Sequence, residues 1–241
     1  MKNTSPMSIQ MIKGVLIDLD NTLYSYEECH QAGLRSSLKQ LHKAHPEVDS
    51  ELFFEEYKLI QSDLKIKLEK TAASHHRLIY FQSILEKLNI WNSKLCLDLY
   101  HSYWNNFLAK MALFDNALLF LKELKSKQIP IVIVTDLVAQ IQFEKILKLD
   151  IDQYIDFIVT SEEVGIEKPN QVIFKSALKK IQCKANEVVM IGDSFDKDII
   201  GAIELGIQAF WYDPDKKWLG GRELPQYTKI SSFKELDAII K

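Results

Sequence analysis

The sequence predicts an α/β fold: a doubly wound parallel-sheet (Rossmann-like) core carrying an inserted all-helical segment. Three observations predict it. Three short runs, Val15-Leu16-Ile17, Ile131-Val132-Ile133-Val134 and Val188-Val189-Met190-Ile191, are almost continuously apolar and rich in β-branched residues, the pattern of strands covered on both faces. Amphipathic helical patterns alternate with such runs through the second half of the chain, and strand–helix alternation builds a parallel sheet. From about Ser25 to Lys110 the periodicity is helical throughout, with no buried strand, so this stretch reads as an insert after the first strand.

Taken in order, residues 1–11 are polar and contain Pro6, which reads as a flexible tail. The first strand, Val15–Ile17, stops at Asp18. Within the insert four apolar sets recur at helical spacing: Leu34, Leu38 and Leu41; Phe53, Phe54, Tyr57 and Ile60; Ile79, Leu85 and Leu88; Leu95, Leu99, Tyr103 and Phe107. About four helices are therefore expected. Ala117–Lys127 places Leu118, Leu121 and Leu124 on one face, with Asp115 or Asn116 as N-cap. The second strand, Ile131–Val134, stops at Thr135 and leads to a helix at Val138–Leu149, apolar at Ile141, Ile146 and Leu149. Ile155–Val159 reads as a fourth strand and Val172–Ile181 as the helix after it. Val188–Ile191 stops at Gly192-Asp193, and a helix at Asp196–Leu205 ends at Gly206. Ile207–Tyr212 is a fifth strand and Phe233–Ile240 a terminal helix. The division that follows is 12–24 and 111–241 for the core and 25–110 for the helical insert.

Bulk properties narrow the function classes. A chain of 241 residues buries roughly 70–75% of its unfolded surface and needs no disulfide or metal to hold its fold. Thirty basic against thirty-three acidic residues give a net charge of −3, without the basic excess of a nucleic-acid binder. Cys29, Cys96 and Cys183 are odd in number and far apart, which suggests buried reduced thiols and a cytoplasmic location. The first residues lack the apolar stretch of a signal peptide. No apolar window approaches the length of a membrane span, so no membrane partner is expected. With 8 glycines the sequence holds neither GxxxxGK nor GxGxxG, the phosphate loops of nucleotide binders.

The chemistry concentrates at strand ends. Parallel α/β sheets bind ligands beyond the carboxyl ends of their strands, where strand order reverses. Asp18, Thr135 and Asp193 would meet there, with Asp20, Asp198 and Lys168 close by in sequence. Four carboxylates and one ammonium in one small site repel unless a cation joins them. An oxygen-only ligand set without His or Cys favours Mg²⁺ over Zn²⁺. An ionised aspartate can attack phosphorus, and a second carboxylate two residues on can trade protons with the leaving oxygen and with water.

In this arrangement the chain resembles the haloacid dehalogenase-like (HAD) hydrolase superfamily. Four motifs occur in the family's order: Asp18-Leu19-Asp20-Asn21-Thr22-Leu23 after a strand; Thr135 at the end of Ile131–Val134; Lys168 within Gly165-Ile166-Glu167-Lys168-Pro169; and Gly192-Asp193-Ser194 with Asp198 five residues after Asp193. The resemblance runs from about Ile12 to the end of the chain and implies the phosphatase branch. Asp18 would be the nucleophile and Asp20 the general acid/base. Mg²⁺ would be held by the Asp18 carboxylate, the Asp20 carbonyl and Asp193, supported by Asp198. Thr135 and Lys168 would bind the phosphoryl group, and the backbone amide of Asp136 could serve it too. The insert matches the family's C1-type cap, which closes over the site.

Two departures stand out. Many relatives carry Asn where this chain has Asp136, and an extra carboxylate beside a phosphate is unfavourable unless it points away. Many also have Pro-Gly before the helix that precedes the second motif, where this chain has Phe114-Asp115-Asn116, a change at a helix entrance. The resemblance implies Mg-dependent hydrolysis of a small phosphorylated metabolite (sugar phosphate, acyl-sugar phosphate or nucleotide) through an aspartyl-phosphate; the sequence leaves monomer and homodimer both open. A 2-haloacid dehalogenase would not need Asp20, a phosphoryl mutase would need cap groups that exclude water, and a non-catalytic phosphate-metabolite binder would have lost a motif residue. Of the cap-side residues, Tyr24 is expected to face substrate. His75-His76-Arg77 form a basic cluster that could contact an anionic substrate, but a helix surface feature is the expected reading. Trp91, Tyr100, Tyr103, Trp104 and Phe107 read as cap core.

Overall fold

The apolar runs become strands β1 (Gly14–Ile17), β2 (Ile131–Thr135), β3 (Phe157–Thr160), β4 (Val188–Gly192) and β5 (Gln208–Tyr212), joined by β6 (Tyr227–Ile230). The structure, a computed structural model, describes residues 12–217, 224 and 226–238, so the expected tail 1–11 lies outside them. All pairings are parallel, in the order β3-β2-β1-β4-β5-β6. Strand order therefore reverses between β1 and β4, whose register sets Ile17 against Ile191. This is the crevice in which Asp18 and Asp193 emerge side by side.

β6 has no counterpart in the sequence reading. Tyr227-Thr228-Lys229-Ile230 buries only Ile230, as an edge strand does, and an edge lysine discourages further pairing. β3 begins two residues later than expected because Ile155 still belongs to the preceding turn, its amide donating to the Asp152 carbonyl at 3.2 Å.

Helices cover both faces. On one, Val15, Ile17, Ile131 and Ile133 pack with α5 (Ala117–Ser126) and α6 (Ala139–Lys148). On the other, Leu16, Val132, Val134 and Met190 pack with α8 (Gln171–Ile181) and α9 (Gly201–Ile203). Each fully buried Val, Leu, Ile or Phe contributes about 1.5–3 kcal/mol relative to exposure. A short α7 (Ser161–Val164) follows β3, with Thr160 accepting from the Glu163 amide as its cap. Asn116 does precede α5, but it caps by adopting φ 65° and makes no side-chain bond; Asn tolerates that left-handed geometry. The helix expected at Asp196–Leu205 starts instead as a π-helical turn, Phe195–Ile200, before α9. Phe233–Ala238 is a 3₁₀ turn, and the rest of the expected terminal helix lies outside the described residues.

The insert holds α1 (Tyr26–Ala44), α2 (Ser50–Lys67), α3 (Arg77–Lys87) and α4 (Ser93–Lys110). Asp49 and Asn92 cap α2 and α4 by accepting from the amides of Leu52 and Leu95. α1 lies against α4 through a small-residue seam: a Cβ on Gly33 would come within 2.8 Å of the Tyr103 ring, and Ser37 donates to the Leu99 carbonyl at 3.0 Å. Phe53, Tyr57, Tyr80, Phe81, Tyr103 and Phe107 form its aromatic centre. Trp91, read as core, is instead 53% exposed, since it sits in the α3–α4 turn and not on a helix face. The two chain connections to the insert run side by side: Phe114 N–H donates to the Leu23 carbonyl at 2.8 Å and Tyr24 bridges Leu113. Among the described residues no helix is long and apolar enough to cross a membrane.

Candidate active site

Asp18 follows β1 directly, and its amide donates to the Ile191 carbonyl at 2.9 Å, which pins the loop to β4. Its carboxylate is 5% exposed and doubly engaged. Lys168 Nζ donates to Oδ1 at 2.5 Å and Thr22 Oγ1 to Oδ2 at 3.1 Å. Lys168, 4% exposed, also donates to Asp198 Oδ1 at 2.6 Å and to the Val134 carbonyl at 3.0 Å. One ammonium thus serves two buried carboxylates, and a third stands beside them. One carboxylate oxygen each from Asp18, Asp193 and Asp198 lies within 4.8 Å of the others. Burial, with the charges of Asp18 and Asp198, pushes the Asp193 carboxyl well above its ordinary range. Burial raises Asp18 as well, with Asp198 adding to the rise and Lys168 opposing it. Asp193 has no ion pair among the described residues. Three carboxylates against one ammonium, all oxygen donors, fit a hard divalent cation such as Mg²⁺.

The π-helical turn puts Asp198 in place. It brings the Asp198 side chain back over Gly192, with Ser194 N–H donating to Oδ2 at 3.0 Å. π-bulges recur at functional sites because they re-aim a side chain within a helix. A Cβ at position 192 would sit 2.5 Å from Asp198 Cβ, Cγ and Oδ2. Gly192→Ala is therefore expected to displace Asp198 and cost about 1–3 kcal/mol, read as a lower urea midpoint. An unchanged midpoint would mean that the turn can shift freely.

Asp20 is set differently. Lys145, fully buried on α6, donates to its oxygens at 2.6 and 2.9 Å. The Tyr24 hydroxyl bonds the same carboxylate, and Gln142 approaches at 3.4 Å. Burial raises the Asp20 carboxyl, but the Lys145 charge and these donors outweigh it and hold it below the usual range. Tyr24 is thus corrected: it is fully buried, bonds Asp20 and does not line the cavity, because the bridge to Leu113 turns it into the core. Tyr26 lines the cavity instead.

Thr135 ends β2, its hydroxyl 2.5 Å from Gln142 Nε2. Asp136 directs its carboxylate to the Lys168 amide at 3.0 Å and to Lys197 Nζ at 2.8 Å, so its charge is matched. The next residue, Leu137, takes φ 105° and is held by its amide on Ser161 Oγ at 3.0 Å. Such a conformation costs on the order of 1–3 kcal/mol and persists where the surroundings over-determine it.

These groups form the floor of a cavity of about 790 Å³ whose roof is the insert. His75-His76-Arg77 are not a surface feature: Arg77 is 2% exposed and lines the cavity. His75 Nε2 meets Glu167 Oε1 at 2.7 Å, and Glu167 N–H donates to the Lys70 carbonyl at 3.0 Å. The insert is therefore tied to the loop that carries Lys168. Of the expected residues, Asp18, Thr135, Lys168, Asp193 and Asp198 come together, with Asp20 and Asp136 at the margin. Arg77 takes the place that the less favoured reading of its cluster gives it, facing the cavity; Gln142, Lys145 and Lys197 have no counterpart in the sequence reading.

Comparison with known proteins matches this architecture. The haloacid dehalogenase-like hydrolase profile covers residues 15–212. The ribulose-1,5-bisphosphate 5-phosphatase of Halopiger xanaduensis is 37% identical over 86% of this chain and 87% of its own length. The glyceraldehyde 3-phosphate phosphatase of Methanocaldococcus jannaschii is 33% identical over 96% of this chain and 98% of its own. Among solved structures, a 2-haloacid dehalogenase from Pseudomonas syringae superposes with a TM-score of 0.75 at 24% identity, over 95% of this chain and 98% of that one; that likeness concerns the fold. Four motifs converging at the β1–β4 crevice and a profile spanning most of the chain lead to one conclusion: the protein belongs to the haloacid dehalogenase-like hydrolase family.

Proposed function

We propose that this phosphoric monoester hydrolase removes phosphate from a small sugar phosphate, with Asp18 as nucleophile, Asp20 as general acid and base, and Mg²⁺ as cofactor. The convergence of Asp18, Thr135, Lys168, Asp193 and Asp198 on one cavity floor carries the reading. The named phosphatase relatives support the sugar phosphate. Asp18, Asp193 and Asp198 would hold the ion with the Asp20 carbonyl, and when bound it would neutralise negative charge on the phosphoryl oxygens.

Asp18 attacks phosphorus as its bond to the leaving oxygen breaks, and Asp20 protonates that oxygen. Asp20 then takes a proton from water as the water attacks the aspartyl-phosphate, which frees phosphate and regenerates Asp18. The Lys168 ammonium compensates charge on the transferring group, and Thr135 offers a hydroxyl donor. The carboxylate form of Asp20 held by Lys145 suits the second half-reaction. For the first, rotation away from Lys145 removes the charge that depresses its pKa. Asp20 also favours phosphatase over dehalogenase chemistry, since halide needs no proton to leave.

Phosphate release from a series of three- to six-carbon sugar phosphates tests this. Activity should appear with Mg²⁺, vanish with EDTA and return on adding Mg²⁺. Full turnover in EDTA would remove the metal from the mechanism, and no release from any phosphomonoester would remove the reading itself.

A further inference from the structure

The cavity is electrically divided. Its core wall carries Lys168 and Lys197 against Asp18, Asp20, Asp136, Asp193 and Asp198, a surplus of carboxylates. Its insert wall carries Arg35, Lys58, Lys65 and Arg77, with Glu27 as the one carboxylate among the lining residues there. The core surplus is what a cation and Lys168 would neutralise. The insert surplus has no counterpart. None of its four cations makes an ion pair among the described residues.

Arg77 is the sharpest case. Its guanidinium is buried, yet its hydrogen-bond partners are all neutral: the His75 carbonyl at 2.5 Å, the Tyr103 hydroxyl at 3.4 Å and the Tyr26 hydroxyl. The rings of Tyr80, Tyr103 and Trp104 lie 5.2–5.8 Å away. They attract the cation but bring no net charge. A buried charge without a counter-ion is costly, and three bonds leave part of the five-donor fork unused. The field of these cations is felt nearby. Burial, with the charges of Arg77 and Lys65, pulls His30 down to about 3, so it stays neutral. Partial desolvation and the charges of Arg77 and Lys197 lower Lys65 as well.

We infer that the insert wall is a second anion subsite, centred on Arg77 and rimmed by Arg35, Lys58 and Lys65, and that the substrate is a sugar phosphate with a further oxyanion distant from the scissile phosphate. The volume, about 790 Å³, has room for a sugar chain between two charged ends. A planar fork suits phosphate and carboxylate alike. The inference rests on the phosphatase reading of the same cavity.

Three substrates of equal chain length separate the possibilities: a pentose 5-phosphate, the 1,5-bisphosphate of a pentulose, and a pentonate 5-phosphate with a carboxylate at the far end. At least one of the two doubly anionic compounds should be preferred over the monophosphate in kcat/KM by about 30-fold or more, mainly through KM. Which of them leads tells phosphate from carboxylate. Arg77→Met should bring the preference close to unity, and Arg77→Lys should retain part of it. A role confined to packing the insert would change thermal stability and leave the preference intact, which would overturn the inference. So would equal kcat/KM for all three substrates in the native chain. If Arg77→Met fails to fold, the exposed triple substitution of Arg35, Lys58 and Lys65 by Gln should reduce the preference several-fold; no reduction counts against the subsite. Calorimetric binding of the same compounds to an Asp18→Asn variant reads the preference without turnover. If no compound is hydrolysed yet the doubly anionic ones bind more tightly, the subsite stands and the phosphatase reading falls.

Discussion

An Asp18→Asn variant should hydrolyse a generic aryl phosphate with Mg²⁺ roughly 10⁴-fold or more slowly than the native chain, a magnitude typical of removing a nucleophile. The amide keeps the shape of the carboxylate and can still accept from Lys168 or Thr22, so the cavity floor should hold its form. What disappears is the negative charge that attacks phosphorus. The same change removes one of three crowded carboxylates, and its ionisation, like that of Asp193, is opposed by burial and by Asp198. Stability should therefore stay the same or rise, and a thermal melt beside the kinetics distinguishes lost chemistry from lost fold. A rate within tenfold of native would place the nucleophile elsewhere.

The floor of the site was legible because each part follows a short apolar run. Asp18 ends β1, Thr135 ends β2 and Asp193 follows β4, so reading the strands located the residues. Lys168 and Asp198 are placed near the site by their closeness to strand ends, but their roles need the family resemblance, because local spacing does not tell how the loop after α7 and a π-helical turn fold back onto the same point. The roof was not legible. Arg77 follows two histidines at a helix start, where a solvated charge is the ordinary expectation, and its tertiary contacts with Tyr26 of α1 and with Tyr103 and Trp104 of α4 go with its burial. Gln142 and Lys145 did leave a signal. They share a helical face with Ile141 and Ile146 on α6, and a lysine on an apolar stripe must find a partner when buried. That partner, Asp20, is 125 positions away, beyond what periodicity can show. Tyr24 failed as a substrate contact for the same reason: proximity in sequence to Asp20 does not say which way the ring turns.

Lys168→Met should be the most damaging single change to the fold of the site. The ammonium is buried and holds Asp18 and Asp198 at 2.5 and 2.6 Å. Burial lowers its pKa, but the charges of Asp18, Asp198 and Asp136 outweigh that and keep it protonated. Methionine fills similar space and removes the charge together with the hydrogen bonds to Asp18, Asp198 and the Val134 carbonyl. Two buried carboxylates are then left facing each other with Asp193 alongside. Removing one partner of a buried pair costs about 3–5 kcal/mol, a large part of the roughly 5–15 kcal/mol that holds an ordinary domain together. Because Mg²⁺ would sit on the same carboxylates, it should stabilise Lys168→Met more than the native chain, seen as a larger rise in Tm on adding the ion. Adding Asp198→Asn should recover much of the lost stability, since it relieves the repulsion that Lys168 had offset; coupling of this kind is expected between contacting groups. Activity should not recover, because the phosphoryl group would still lack its ammonium, a loss on the order of 10²–10³-fold by analogy with removal of a single oxyanion donor. A urea midpoint for Lys168→Met equal to the native one would mean that the carboxylates are already protonated or solvated, and the account of the cavity floor as a charge cluster awaiting a cation would have to be abandoned.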